Sequence, residues 1–213
     1  MKYKQEIRAN TAARWWFGIS AGAVLLLLAS FYFDAAAQTW MVENQSAGVR
    51  RFMELASRFG DWPAHVALGV LLIGIAYWRG NKRWVRIFTA MLLACALAGI
   101  VNRVVKISTG RARPNMQAEA EWSGPSFSSS YHAFPSGHTA ASTAFFATLA
   151  FASWRIGLGL LAIPLLIAFS RMYVGAHHLS DVVGAALLAG LVAYLVARRM
   201  LVEIRDPKSE IRN

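Results

Sequence analysis

Residues 15–33, WWFGISAGAVLLLLASFYF, run for 19 positions without an Asp, Glu, Lys or Arg. As a helix this stretch reaches about 28 Å, close to the roughly 30 Å hydrocarbon core of a bilayer. Trp15 and Trp16 open it, where interfacial aromatics anchor a span. Five more stretches lack charge: 62–78, 87–102, 139–154, 156–170 and 182–197. They are shorter, and their flanks lengthen them. Arg86 and Arg103 can snorkel from the ends of the third, and Trp62, Trp78, Trp84 and Trp154 stand near stretch ends. A soluble bundle would need a polar face on every helix, and these stretches have almost none. The expected fold is all-α, a six-transmembrane helical bundle forming one domain over residues 1–213.

Composition agrees. Of 213 residues, 56% are hydrophobic and 15% charged, against roughly 25% charged in ordinary soluble domains. A disordered chain would be less hydrophobic and more charged. The 22 Lys and Arg outnumber the 11 Asp and Glu, for a net charge of +11. A nucleic-acid binder would cluster such an excess on a polar surface, whereas here it punctuates apolar runs, so no nucleic-acid partner is expected. Cys95 is the single cysteine, and no Cys/His cluster has metal-ligand spacing, so neither a disulfide nor a metal or other cofactor is expected. Lys2, Lys4, Arg8 and Arg14 before the first stretch and Ala35, Ala36 and Ala37 after it resemble a signal peptide. Its apolar core exceeds the roughly 7 to 15 residues of a signal segment, so a retained anchor is expected.

Counting Lys and Arg in alternate connections places fourteen with the termini and eight on the other side. This bias predicts cytoplasmic ends, residues 1–14 and 198–213, and an even number of spans. Between the first two spans, Val49, Phe52, Met53, Ala56 and Phe59 share a helical face, which predicts a short interfacial helix. The minority side keeps cations close to the membrane, from Arg103 to Arg113 and at Arg171, and topology alone gives no reason for them.

Three short segments on that side concentrate polar residues at the ends of apolar spans. In the first, Lys106 and Arg113 are seven apart, nearly two helical turns, and Pro114 follows. Converging cations suit a phosphate, and an arginine can hold two of its oxygens. Anchoring to lipid headgroups is the plainer reading of this segment alone. In the second, Pro135, Ser136, Gly137 and His138 directly precede a span. Ser136 is a favourable N-cap, Gly137 allows close approach to the backbone, and the amides of a helix start attract an anion. His138 in the first turn could donate a proton to a departing oxygen. In the third, Ser170 and Arg171 are followed by His177, His178 and Asp181. His177 lies four residues before Asp181, so a carboxylate can hold one imidazole nitrogen and leave the other free to attack. His178 lies three before Asp181, and spacing does not decide between the two histidines.

Together the segments read K-x6-RP, PSGH and SR-x5-H-x3-D, and in this order resemble the signature of the type 2 phosphatidic acid phosphatase family, or PAP2. These are integral-membrane lipid phosphatases related to the vanadium haloperoxidases. The resemblance implies a metal-independent phosphohydrolase with His177 as nucleophile, Asp181 as its orienting carboxylate and His138 as the acid for the leaving oxygen. It assigns the phosphoryl oxygens to Lys106, Arg113, Arg171 and the amides near Ser136 and Gly137. Arg111 is a candidate further phosphate ligand or a residue that faces water. A bell-shaped pH profile follows if His177 must begin neutral and His138 charged.

The expected partner is a membrane lipid phosphate of the undecaprenyl diphosphate, phosphatidylglycerophosphate or phosphatidate type. It would be hydrolysed at the outer face of a bacterial inner membrane. Lipid A dephosphorylation, phosphotransfer between lipids and non-catalytic lipid binding are the alternatives. The residues spell no particular headgroup and no oligomeric state.

Overall fold

The computed structural model describes residues 2–116 and 120–201, with side chains described from residue 14 onward. The cytoplasmic tail expected over 198–213 therefore lies mostly outside the described residues. Every uncharged stretch falls on a helix or a helix pair. The helices are α1 (Lys2–Tyr32), α2 (Asp34–Glu43), α3 (Ala47–Phe59), α4 (Trp62–Trp78), α5 (Lys82–Thr109), α6 (Gly137–Ala152), α7 (Trp154–Leu160), α8 (Ala162–Tyr173) and α9 (Leu179–Met200). No strand occurs among the described residues; Arg111 alone makes isolated bridges, to Trp122 and His132.

Four segments are long and apolar enough to cross a bilayer: Arg14–Tyr32, Lys82–Thr109, Trp154–Tyr173 and Leu179–Met200. A fifth arises if α3 and α4, bent by 56°, are taken together. The sixth expected span falls on α6, whose 16 residues rise only about 24 Å. It begins beside Pro135 and ends at Ser153, and it occupies the middle of the bundle, packed by α5, α7, α8 and α9.

Small residues make that packing close. Ala90, Ala94 and Ala98 on α5, Ala140 and Ala144 on α6, and Ala185, Ala189 and Ala193 on α9 recur every fourth position and are fully buried. Such stripes let helix axes approach where no hydrophobic force distinguishes lipid from protein. Phe145, Ile87 and Met91 fill the remaining core.

The connection after α1 differs from expectation. Two helices form there rather than one, because Asp34 opens a separate α2 after the break at Phe33. On α3 the anticipated apolar face is divided: Met53 is buried with Ser57, while Val49, Phe52 and Phe59 are exposed. Tyr173 at the end of α8 holds the α2–α3 turn. Its hydroxyl donates to the Asn44 carbonyl and accepts from the Ser46 amide, both at 3.0 Å.

Gly110 terminates α5 in the left-handed region at φ 57°, ψ 54°. A side chain there would be strained, and its Cβ would collide with the Gly124 carbonyl oxygen. The chain can therefore turn sharply after Lys106. The last turns of α5 and α8 and the first turns of α6 and α9 meet at one end of the bundle: the Ser136 amide donates to the Asp181 carbonyl at 3.0 Å, and the His177 amide to the Arg171 carbonyl at 3.2 Å.

Candidate active site

Lys106 points from α5 to the start of α6. A Cβ placed on Gly137 would lie 3.8 Å from its Nζ, so the absence of a side chain there leaves the ammonium against the helix start. Ser136 occupies the N-cap position without serving as a cap: its Oγ accepts from Thr139 Oγ1 at 3.1 Å, and no side chain caps the first turn. The positive end of α6 and its leading amides thus face the same space as Lys106.

Arg171 enters from the last turn of α8. Its Nη1 donates to Ser57 Oγ on α3, while its buried Nε has no partner among the described residues. Arg113 follows Gly110, fixed through its amide to the Ser130 carbonyl at 3.3 Å. Lys106, Arg113 and Arg171 are near enough for their charges to repel one another, and His138 feels all three. Gly60, between α3 and α4, lets His138 sit close: a Cβ at Gly60 would lie 3.2 Å from that of His138 and 2.5 Å from Ile167 Cγ2.

His177 and Asp181 complete the group. His177 Nδ1 lies 3.4 Å from Asp181 Oδ2, close to the carboxylate but outside aligned hydrogen-bond geometry. The same carboxylate oxygen accepts the His178 amide at 2.8 Å and lies 3.3 Å from His178 Nδ1. Distance to the carboxylate therefore does not separate the two histidines; His177 is the more buried of the pair. Burial pushes the His177 pKa down to about 3, with Arg171 and Lys106 adding to the effect and Asp181 opposing it, so its imidazole is neutral near pH 7.

Arg111 stands in neither of the two places considered for it. Its guanidinium is 2% exposed. Nη1 donates to Asp181 Oδ1 at 2.8 Å and to Ser180 Oγ at 2.6 Å; Nη2 donates to Asp34 Oδ2 at 2.8 Å and Glu121 Oε1 at 2.6 Å. The rings of Phe31 and Trp122 cover it at 5.3 and 4.8 Å. Burial disfavours its charge, yet Asp181, Asp34 and Glu121 together raise its pKa above the ordinary arginine value. Its donors are committed to three carboxylates, and it holds Asp181, the carboxylate beside His177.

A cavity of about 750 Å³ opens beside the cation cluster, between α4 and α5. Lys106, His138 and Gly137 line its polar end, and Val66, Leu92 and Cys95 its apolar part. From Lys106 to Leu92 it extends about 21 Å along α5, enough to receive a hydrocarbon chain. Among the described residues no three His, Cys, Asp or Glu side chains are placed to share a metal ion.

The PAP2 superfamily pattern matches residues 87–205, more than half of the chain. The chain belongs to the PAP2 superfamily. It is 28% identical over 200 residues to the lipid A 1-phosphatase of Rhizobium etli, covering 84% of this chain and 80% of that one. It is 37% identical to the undecaprenyl-diphosphatase BcrC of Bacillus subtilis over 65 residues, 30% of this chain and 34% of that one. The fold superposes on a crystal structure of a PAP2 type phosphatidylglycerolphosphate phosphatase from Bacillus subtilis with a TM-score of 0.66 at 22% identity, covering 88% of this chain and 97% of the other. Against Aquifex aeolicus LpxE the TM-score is 0.57 at 17% identity, covering 78% and 95%. This PAP2 protein is a membrane lipid phosphatase, a phosphoric ester hydrolase.

Sequence reading missed Asp34, Ser57 and Glu121. Asp34 carried a signal: it is an acidic residue directly after a long apolar run, where a carboxylate needs a partner. Ser57 and Glu121 carried none, since a serine in an amphipathic helix and a glutamate in a loop have no pattern that assigns them a contact.

Proposed function

We propose that the protein hydrolyses a phosphomonoester or diphosphate of a membrane lipid through a phosphohistidine on His177. The observation that carries this reading is the gathering of Lys106, Arg113 and Arg171 around neutral His177 at the uncapped start of α6. Like charges so placed repel, and a bound phosphate offsets the repulsion while presenting phosphorus to the imidazole.

In the first step the lone pair of His177 Nε2 forms a bond to phosphorus, and the bond from phosphorus to the leaving oxygen breaks. His138, which must be protonated for this step, gives its proton to that oxygen; the negative charge of a bound phosphate beside it favours the charged imidazole. Asp181, gripped by Arg111, faces Nδ1 and stabilises the positive charge that develops on the ring. Lys106, Arg113, Arg171 and the amides near Ser136 and Gly137 bear the charge of the equatorial oxygens. Water then attacks phosphorus and passes a proton to His138, and His177 departs with its lone pair.

The charge bias supports six crossing helices, α6 among them, with both ends cytoplasmic, α3 along the interface and the site at the outer face of a bacterial inner membrane. The whole chain forms one catalytic domain. Undecaprenyl diphosphate and phosphatidylglycerophosphate are substrate types suggested by the relatives and structural neighbours. Lipid A 1-phosphate is a second reading, favoured by the long alignment to the Rhizobium etli enzyme.

Purified protein in detergent, with EDTA present, should release phosphate from at least one of these lipids or from phosphatidate. Absence of release from all of them overturns the reading.

A further inference from the structure

We propose that Arg103 forms a second anion subsite in the cavity beside His138, for a phosphate carried by the leaving group. This rests on the reading above, in which His138 protonates the leaving oxygen and the lipid lies in the cavity between α4 and α5.

Arg103 lines that cavity together with Asn102, Lys106 and His138; Asp61, a carboxylate near enough to act on His138, lines it as well. It stands three residues before Lys106 on α5, so the two side chains are neighbours, roughly 5 to 6 Å apart at Cβ. The rest of this wall is apolar, formed by residues such as Leu92, Ala96 and Gly99. Arg103 is exposed, so its charge carries no burial cost of its own and is open to a charged group entering the cavity.

The position of Arg103 is fixed without neutralising it. His132 Nε2 lies 3.0 Å from the Ser126 carbonyl oxygen, which can only accept, so Nε2 carries the proton. In the neutral ring Nδ1 is then an acceptor, and Arg103 Nη1 donates to it at 3.2 Å. His132 itself is buried and tied into the loop ahead of α6. Arg103 is therefore aimed by a neutral partner, and among the described residues no carboxylate pairs with it. No contacting carboxylate offsets its charge, while Asp61 on the same cavity is the negative group a bound anion must be kept away from. Arg111 makes the contrast, with its charge met by three carboxylates.

A scissile phosphate held by Lys106, Arg113 and Arg171 puts the leaving group on the His138 side, beside Arg103. In a prenyl diphosphate the departing phosphate is one bridging oxygen from the scissile phosphorus. In phosphatidylglycerophosphate a phosphodiester follows across a glycerol unit. Both place an anion next to Arg103, and both leave with more negative charge than the diacylglycerol of phosphatidate. Arg103 thus selects lipids whose leaving group is itself a phosphate.

The test compares kcat/KM for phosphatidylglycerophosphate, a polyprenyl diphosphate and phosphatidate in detergent micelles, for wild type, Arg103→Gln, Arg103→Met and Arg103→Lys. Glutamine keeps a donor for His132 and removes the charge; methionine keeps only the stem. The ratio of either anionic-leaving-group substrate to phosphatidate is expected to fall about tenfold or more with glutamine and with methionine, and less with lysine. A ratio within twofold of wild type in both uncharged variants overturns the subsite, whether the activities persist or decline together. In that outcome Arg103 serves the bilayer surface alone, and the proposed hydrolysis still stands. Wild type inactive on all three lipids would instead overturn the underlying reading, and the subsite with it.

Discussion

Arg111 Nη1 lies 2.8 Å from Asp181 Oδ1, and both side chains are closed to solvent. The acid that faces His177 is thereby joined to Asp34 on α2 and Glu121 in the loop before α6. Removing one partner of a buried ion pair is costly, typically 3 to 5 kcal/mol, because the remaining charges are left uncompensated. Arg111→Ala is expected to lower stability by about that amount in a detergent melt. Arg111→Lys keeps the charge and loses the fork, so it should fold, with kcat reduced about tenfold or more and KM little changed. A rise in KM as the main effect would mean that Arg111 contacts the substrate.

Arg171 reaches the cation cluster braced by Ser57 on α3. Arg171→Gln is expected to lower kcat/KM by about 10² to 10³, the scale for losing a donor to developing oxygen charge. Ser57→Ala should act in the same direction but by no more than about tenfold, since Arg171 keeps its charge. Steady-state kinetics on one substrate checks both.

The pH dependence carries a definite sign. His177 is held at about 3, below its ordinary value of 6.5. From pH 6.5 down to 3 the unfolded chain takes up this proton and the folded protein does not, so stability falls with acid across that window. The slope for one group approaches 1.4 kcal/mol per pH unit. His177→Gln should reduce the overall slope by about one group's share in melts taken through the same range. The acid limb of kcat/KM in wild type, where His177 becomes protonated, should lie well below pH 6.5.

Gly110 offers a test of how the first cation segment is delivered. Gly110→Ala forces a side chain into the left-handed region and against the Gly124 carbonyl. The expected cost is about 1 kcal/mol for the conformation and more for the collision, read as a lower melting temperature together with weaker phosphate binding through Arg113. Gly99, with open space around it, should tolerate alanine.

Much of this was legible in the sequence because apolar runs and short polar motifs are local. The runs at 87–102 and 182–197 became α5 and α9, and the segments at 106–114, 135–138 and 170–181 came together at one end of the bundle. What the sequence hid was contact across distance. Asp34 and Arg111 are 77 residues apart, and nothing in either neighbourhood specifies that they meet. For the same reason Arg111, two residues before Arg113, read equally as a further phosphate ligand or a residue facing water, although Gly110 turns the chain and Arg111 enters a carboxylate cluster. The length of α6 was equally obscured, since an uncharged run reads the same in lipid and in the centre of a helical bundle.

His177 and His178 stand at nearly equal distance from Asp181, 3.4 and 3.3 Å, so the decisive observation is which of them carries phosphorus during turnover. Rapid quench with substrate, handled at alkaline pH and followed by peptide mass spectrometry, is expected to find the phosphoryl group on His177. His178→Ala should still be labelled, and His177→Ala should show neither label nor phosphate release. Label on His178, or undiminished hydrolysis by His177→Ala, would contradict the mechanism.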